Sequence, residues 1–343
     1  MNIVIIGGGP AGSEAAYRLA GEGYTVDLVE KENSIGGNLN NWHQLFPDRK
    51  SAAGLVKELQ QRLNHPGITL HIDAEAREIA ESAPGKFAVK LSNKTVLHGS
   101  AVLLATGYKV FDAKRKEEYG YGIYKRVITS AELENLFTNR ALATLYGEAP
   151  KRIGFIHCVG SRDEKICNYH CSKLCCVTAV KQAIEVREML PEVEIFCFYM
   201  DMRMFGPGYE EMYREAQERY DIKFIRGRLS EAAENIHGQV VVKVEDTLVG
   251  KPLRMTLDLM VLMVGMEAAD GSGKLAGSVQ VPLYPNGFIR PADPHTGTNL
   301  TARPGIFTAG SCTSPMNLTD TLTDARSAAW QIKKWLTGSD KHA

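Results

Sequence analysis

Apolar positions 2–6 run straight into a glycine turn, and the pattern then predicts a helix over 10–21 and a second strand over 25–30. This is a βαβ start. Strand patterns return at 68–72, 87–91 and 101–105, after which the charged stretch 114–125 reads as a crossing connection. A second α/β unit opens near Lys151, with a strand at 153–157, a helix at 177–189, a strand at 193–198, a helix at 209–219 and β-type segments as far as Val264. Beyond Pro291 come a strand at 305–308, another glycine turn and a last helix over 319–336, which puts Leu322, Ala325, Ala329 and Ile332 on one face. The order predicts an α/β chain in which a domain begun over 1–128 is interrupted by a module at 129–280 and completed by 281–343.

A length of 343 residues agrees with two packed domains, since one domain usually takes roughly 100 to 200. Forty Lys plus Arg balance forty Asp plus Glu, so no net charge draws the chain to nucleic acid or to an anionic membrane. The longest apolar run, 257–266, contains Asp258 and is about half the roughly 20 residues that a bilayer helix needs, so no span is expected. Met1 leads directly into the first strand, which leaves no room for a leader peptide, and the chain is read as unprocessed and cytoplasmic. Of seven cysteines, five fall between Cys158 and Cys176. Thiols clustered in this way, in a reducing compartment, bind metal or do redox work.

Gly7, Gly9 and Gly12 form G-x-G-x-x-G between strand and helix, and Glu30 ends the next strand eighteen residues beyond Gly12. The first glycine permits the tight turn, the second lets the backbone approach a pyrophosphate, and the third lets helix and strand pack closely. The helix N-terminus, at Pro10 and Ala11, faces the negative charge, and Glu30 can accept a ribose hydroxyl. The motif alone does not separate NAD from FAD. In the second unit, 153–161 occupies the place of a nicotinamide-binding glycine loop but holds no G-x-G-x-x-G, and Cys158 stands at its strand end. If 171–176 is helical, Cys171 and Cys175 share a face while Cys176 is offset by roughly 100°. Four thiolates suit an iron-sulfur cluster and suit zinc, and spacing leaves both open. Inert buried thiols and a redox disulfide at Cys175 and Cys176 are the other readings, although no C-x-x-C pair occurs.

Two segments resemble the pyridine-nucleotide-disulfide oxidoreductase and thioredoxin reductase superfamily: Leu103-Leu104-Ala105-Thr106-Gly107, and Gly305 to Gly310 near the end. The resemblance implies a Rossmann-type FAD domain built from both ends of the chain, in a two-dinucleotide-binding-domain flavoprotein with an inserted second α/β domain. It implies cofactor contacts at Gly7, Gly9, Pro10, Ala11, Gly12, Glu30, Lys31, Gly37, Asn38, Thr106, Gly107, Gly310, Ser311 and Thr321. Ser311 stands where the superfamily commonly has Asp, which removes a carboxylate from the ribitol side.

The run Cys158 to Glu164, then Cys171-Ser172-Lys173-Leu174-Cys175-Cys176 and Lys181, closely resembles the HdrA component of heterodisulfide reductase, as do Asp201-Met202-Arg203 and Asp320-Thr321. That resemblance implies a 4Fe-4S cluster on Cys158, Cys171, Cys175 and Cys176, with Cys167 a bystander, and implies that Lys181 lies beside the flavin as a catalytic and cofactor-tuning cation. Cys197 reads as core and Cys312 as structural. Longer family members carry ferredoxin-type segments that this chain lacks, so it resembles the compact form from the heterodisulfide-reductase-like complex of sulfur-oxidising prokaryotes. The implied function is electron relay between flavin and sulfur chemistry on heterodisulfide-reductase-like B and C subunits around a homodimeric core. The alternative is an NAD(P)H-dependent, thioredoxin reductase-like disulfide reductase using Cys175 and Cys176.

Overall fold

A computed structural model describes residues 1–338. The chain divides into two compact units, the first made of Met1–Asn40, Ala53–Lys109 and the chain from Glu267 onward, the second of Asn41–Ala52 and Val110–Met266. The first holds a five-stranded parallel sheet in the order Ile306–Thr308, Ala101–Leu104, Asn2–Ile6, Thr25–Val29 and Ile68–His71. Its central strands are apolar on both faces, with Ile3, Val4, Ile5, Val102, Leu103 and Leu104 fully buried, because a parallel sheet is covered on both sides. The helix Pro10–Gly21 packs through Ala15, Ala16 and Leu19 into the same core as Ala325, Ala328, Ala329 and Ile332 of Leu318–Thr337. The buried face of that last helix is therefore Thr321, Ala325, Ala328, Ala329 and Ile332, and Leu322 lies beside it, half-buried.

The second unit repeats the scheme with a parallel sheet in the order Lys223–Arg226, Glu194–Tyr199, Arg152–Val159, Leu259–Val264 and Val127–Thr129. Helices Ser130–Thr138 and Cys175–Met189 fill one face, and the first opens on a capping box between Thr129 and Glu132. A three-stranded antiparallel sheet, Leu229–Glu234, Val240–Asp246 and Lys251–Leu257, shares a core with Phe111, Tyr119, Ile156 and Phe198.

The crossings between units fall at 109/110 and 266/267, ahead of the expected 128/129 and 280/281. Packing explains both shifts. Phe111, Ala113 and Tyr119 anchor the charged 114–125 stretch in the second core, and Val127–Thr129 is an edge strand of the second sheet. Helix Ser272–Ser278 instead places Leu275 and Ala276 in a core of the first unit. Segment 41–52 joins the second unit, where Phe46 packs on the core. Of the region expected at 281–343, residues 339–343 lie outside the described residues. Among the described residues no helix is long and apolar enough to cross a membrane.

The third glycine of the first turn is fixed by contact, since a Cβ on Gly12 would stand 1.9 Å from the Gly7 carbonyl oxygen. Gly12→Ala should lower the urea midpoint by the equivalent of about 3 kcal/mol, the upper part of the usual overpacking range, because backbone rather than a movable side chain is struck. An unchanged midpoint contradicts this packing.

Candidate functional site

At the carboxyl end of the first sheet the chain turns through Gly7 at φ +113°, where a Cβ would meet the Ala105 carbonyl oxygen at 2.2 Å. Gly9 caps the helix with no side-chain cap bond and Pro10 takes its first position, an arrangement that leaves first-turn amides for a pyrophosphate. Gly37, at φ +54°, lies so near that a Cβ on it would fall 3.1 Å from the Gly9 Cα. The Gly36 N–H donates to the Gly8 carbonyl at 2.8 Å and holds this lap closed. The buried Glu30 carboxylate accepts the Gly8 N–H at 2.7 Å and the Glu32 N–H at 2.9 Å, and each oxygen keeps a second lone pair for a ribose hydroxyl. Lys31 beside it is exposed.

The remaining first-unit candidates gather in two groups. Asn38 Nδ2 donates to the Tyr108 carbonyl at 2.8 Å, while the Thr106 and Ser272 hydroxyls pair at 2.7 Å ahead of Gly107, which takes φ +68°. Gly310, at φ +74°, sits against Ala11 and Thr321, and Ser311 follows it buried. The Gly310 N–H is held by Asp324 Oδ2 at 2.7 Å, and Asn299 donates to the other oxygen of that carboxylate at 2.8 Å. Burial outweighs these bonds and raises the Asp324 pKa. Sequence reasoning missed Asp324. Its one signal is an acid set directly before Ala325 on the buried face of the last helix.

In the second unit the strand Arg152–Val159 loses its register between Ile156 and Val159, and Cys158 takes φ +60°. The following loop folds back on itself. Arg162 N–H donates to the His170 carbonyl, Asp163 and Asn168 exchange backbone bonds, and the buried Ser161 and Ser172 hydroxyls pair at 2.6 Å, with Ser172 accepting the Met266 N–H at 2.8 Å. Arg162, Cys167 and Lys173 are left-handed, a conformation costing of order 1–3 kcal/mol each. The buried Asp163 carboxylate offsets part of that cost by accepting Lys116 at 2.7 Å and Arg228 at 2.7 Å. Burial opposes its ionisation, but these cations prevail and lower its pKa.

Helix Cys175–Met189 begins only at Cys175. Cys171 is therefore not a helical neighbour of Cys175 on one face, as the i, i+4 spacing suggested, because the Ser172 bonds and the left-handed Lys173 end the loop first. The Cys158 and Cys175 sulfurs stand 4.0 Å apart, and the Cys176 sulfur lies 3.5 Å from the Asp201 carbonyl oxygen. Cys158, Cys175 and Cys176 form one electrostatic group. A hydrogen bond from Cys175 brings Cys158 down to about 7 and, with help from His157, brings Cys176 down to about 4, while Cys175 is pushed up. Cys171 is half-buried, and its sulfur accepts the Lys173 N–H at 3.3 Å. Among the described residues no group of three or more His, Cys, Asp or Glu side chains is placed to hold a metal ion. Cys167 is exposed, whereas Cys197 and Cys312 are buried, and burial pushes the Cys312 thiol up to about 12.

Lys181 is fully buried inside the second unit. Its ammonium meets Glu134 at 2.6 Å, Glu185 at 2.9 Å and the Gln44 carbonyl at 3.0 Å, which commits all three donors. Glu134 also accepts Gln182 at 2.6 Å and the His43 N–H at 2.9 Å. Both glutamates escaped the sequence reading, although Glu134 lies beside the apolar Leu133 and Phe137, and Glu185 lies four residues after Lys181. Burial first, then the nearby Glu134 charge, raises Glu185 to about 7 against the pull of Lys181.

Residues 1–136 match the pyridine nucleotide-disulphide oxidoreductase family. The fold matches thioredoxin reductase from Lactococcus lactis with a TM-score of 0.69 at 17% identity over 98% of this chain and 99% of that one, and the enzyme from T. acidophilum with 0.66 at 18% over 98% of each. Fold and first site together define a two-domain, thioredoxin reductase-like flavoprotein architecture. In sequence, the chain is 32% identical to the iron-sulfur HdrA component of CoB–CoM heterodisulfide reductase from Methanocaldococcus jannaschii, over 95% of this chain and 63% of that protein. It is 31% identical to the corresponding component of H2/formate:CoB-CoM heterodisulfide,ferredoxin reductase from Methanococcus maripaludis, again over 95% and 63%. The chain is a homologue of heterodisulfide reductase HdrA that spans just under two thirds of the length of these relatives.

A carboxyl raised from 4.5 to about 7 binds its proton more tightly in the folded state, so its stabilising contribution is complete below about pH 4.5 and is lost as pH rises through about 7. Glu185→Gln should remove this fall. Urea midpoints of both proteins between pH 4.5 and 8 should converge toward the acid side and separate near neutrality, with the variant the more stable there, and parallel profiles contradict the assignment.

Proposed function

We propose that the chain is an electron-transferring component that carries FAD in its first unit and a 4Fe-4S cluster on Cys158, Cys171, Cys175 and Cys176 in its second. The observation that carries the reading is the meeting of Cys158, Cys175 and Cys176 at the end of Arg152–Val159, where a nicotinamide-binding domain would have its glycine loop. The name of the Methanocaldococcus jannaschii relative, which calls it iron-sulfur, supports it. When bound, FAD supplies two-electron chemistry and the cluster one-electron chemistry.

This chain's own residues then have separate tasks. Gly7, Gly9, Gly12 and Gly37 keep the backbone close enough for a pyrophosphate, and Glu30 orients a ribose. The folded 160–174 loop excludes water from the thiol group, and the Lys173 N–H supports the Cys171 sulfur. For Lys181 the resemblance suggests a cation beside the flavin, whereas within the second unit its ammonium is committed to Glu134, Glu185 and the Gln44 carbonyl. Disulfide or sulfane chemistry belongs to partner subunits of B and C type around a homodimeric core, in a cytoplasmic heterodisulfide-reductase-like complex of sulfur oxidation. Disulfide reduction at Cys175 and Cys176 themselves is disfavoured, because each is 4% exposed and out of reach of a protein disulfide.

The test is anaerobic purification with iron, acid-labile sulfide and flavin analysis, followed by low-temperature EPR of dithionite-reduced protein. The expected result is about four iron per chain, one FAD, and an iron signal abolished in Cys171→Ala. Less than about one iron per chain overturns the cluster, and an unchanged signal in Cys171→Ala removes that residue from the ligands.

A further inference from the structure

The last strand, Ile306–Thr308, leads toward the last helix, Leu318–Thr337, through a turn at Ala309, Gly310 and Ser311. The Ala309 N–H donates to the Leu104 carbonyl at 3.0 Å, and the Ala309 carbonyl accepts the Cys312 thiol at 3.3 Å. The Gly310 carbonyl accepts the Thr313 hydroxyl at 3.1 Å. Gly310 takes φ +74°, and a Cβ on it would fall 2.8 Å from that of Ala11, in the first turn of the helix at the candidate pyrophosphate site. The remaining backbone group of this turn, the Gly310 N–H, finds its acceptor fourteen residues on, at Asp324 Oδ2, 2.7 Å away. Asn299, only 2% exposed, aligns that carboxylate. Its Nδ2 donates to Asp324 Oδ1 at 2.8 Å and lies 3.2 Å from the Thr308 carbonyl, while its own carbonyl accepts the Thr308 N–H at 3.0 Å. Strand end, turn and helix are locked together at one carboxylate.

A carboxylate is an expensive acceptor for this place. Buried acids are ordinarily paired with a cation, whereas both donors to Asp324 are uncharged and burial raises its pKa. An uncharged oxygen would satisfy the Gly310 N–H with less desolvation. What a carboxylate adds is a shorter and stronger bond, and hence a stiffer turn. Ser311 comes next, 7% exposed, and among the described residues its hydroxyl has no partner.

We propose that Asp324, aligned by Asn299, is a positioning residue for FAD, which fixes the Gly310 peptide so that the Ser311 hydroxyl is aimed at the cofactor. The proposal rests on the FAD half of the reading above and extends it to two residues outside the site's glycine turns. A hydroxyl can donate one hydrogen bond and accept two, and one held in place before the ligand arrives binds without the cost of ordering the turn. Asp324 thus acts through Gly310 and Ser311.

Fluorescence titration of FAD into the flavin-depleted full chain tests this. Asp324→Ala should weaken FAD binding by about tenfold, the loss expected for a hydrogen bond to a charged group. Ser311→Ala should weaken it by a similar factor, and the double variant should bind no more weakly than either single one, because one residue acts through the other. Two independent structural effects would instead multiply, and full multiplication overturns the proposal, as does unchanged affinity in either single variant. If Asp324→Ala does not fold, Asn299→Ala leaves the Gly310 bond in place and should bind FAD about threefold more weakly, a loss that disappears in the Ser311→Ala background. Unchanged affinity in Asn299→Ala, or a loss that persists in that background, then overturns it. A wild-type chain that takes up no FAD overturns the FAD reading itself, and that outcome is distinct from a chain whose affinity for FAD ignores Asp324.

Discussion

Asp163 is buried between the ammonium of Lys116 and the guanidinium of Arg228, and the shape of the cysteine loop depends on that arrangement. The loop spends backbone conformations that residues other than glycine rarely adopt, at Arg162, Cys167 and Lys173, with the left-handed Cys158 just before it. Few regular backbone bonds are available there to compensate. A paired carboxylate that also accepts the Lys165 N–H supplies directional restraint at the point where the chain reverses. The same reversal brings the start of helix Cys175–Met189 back to the end of Arg152–Val159, and so brings Cys175 within 4.0 Å of Cys158.

The two units solve one topological problem with opposite chemistry. Each ends a central parallel strand in a turn before a helix, at the edge where open α/β sheets bind ligands. In the first unit the turn is glycine-rich, because Gly7 needs a positive φ and Gly12 has no room for a Cβ, and the outcome is a surface of backbone amides suited to an anion. In the second, the equivalent turn is lengthened into 160–174 and stapled by Ser161, Asp163 and Ser172, and the outcome is a group of sulfurs.

Much of the first site was legible because each of its demands is local. Spacing, φ and close approach all act within 7–12, and the helix starting at Pro10 and ending at Gly21 follows from the same few residues. What escaped depended on contacts distant in sequence. Nothing near Lys181 in the chain announces that Glu134 and the Gln44 carbonyl will enclose it, and nothing near Gly310 announces Asp324. The unit boundaries moved because Phe111 and Tyr119, inside a stretch that reads as a polar connection, are core residues, while Leu275 and Ala276 pack with the first unit. Cys171 looked helical by spacing alone, but the hydroxyl of Ser172 and the backbone of Lys173 decided otherwise.

Homology to heterodisulfide reductase HdrA and the gathering of Cys158, Cys175 and Cys176 converge on one account, in which sulfur-ligated iron takes the position of a nicotinamide. Mössbauer spectroscopy of 57Fe-enriched protein prepared without oxygen addresses it most directly. The account predicts that most of the absorption belongs to a single 4Fe-4S species, in a protein whose flavin NADPH leaves oxidised. Absorption from isolated mononuclear iron alone, together with rapid bleaching of the flavin by NADPH, would contradict it.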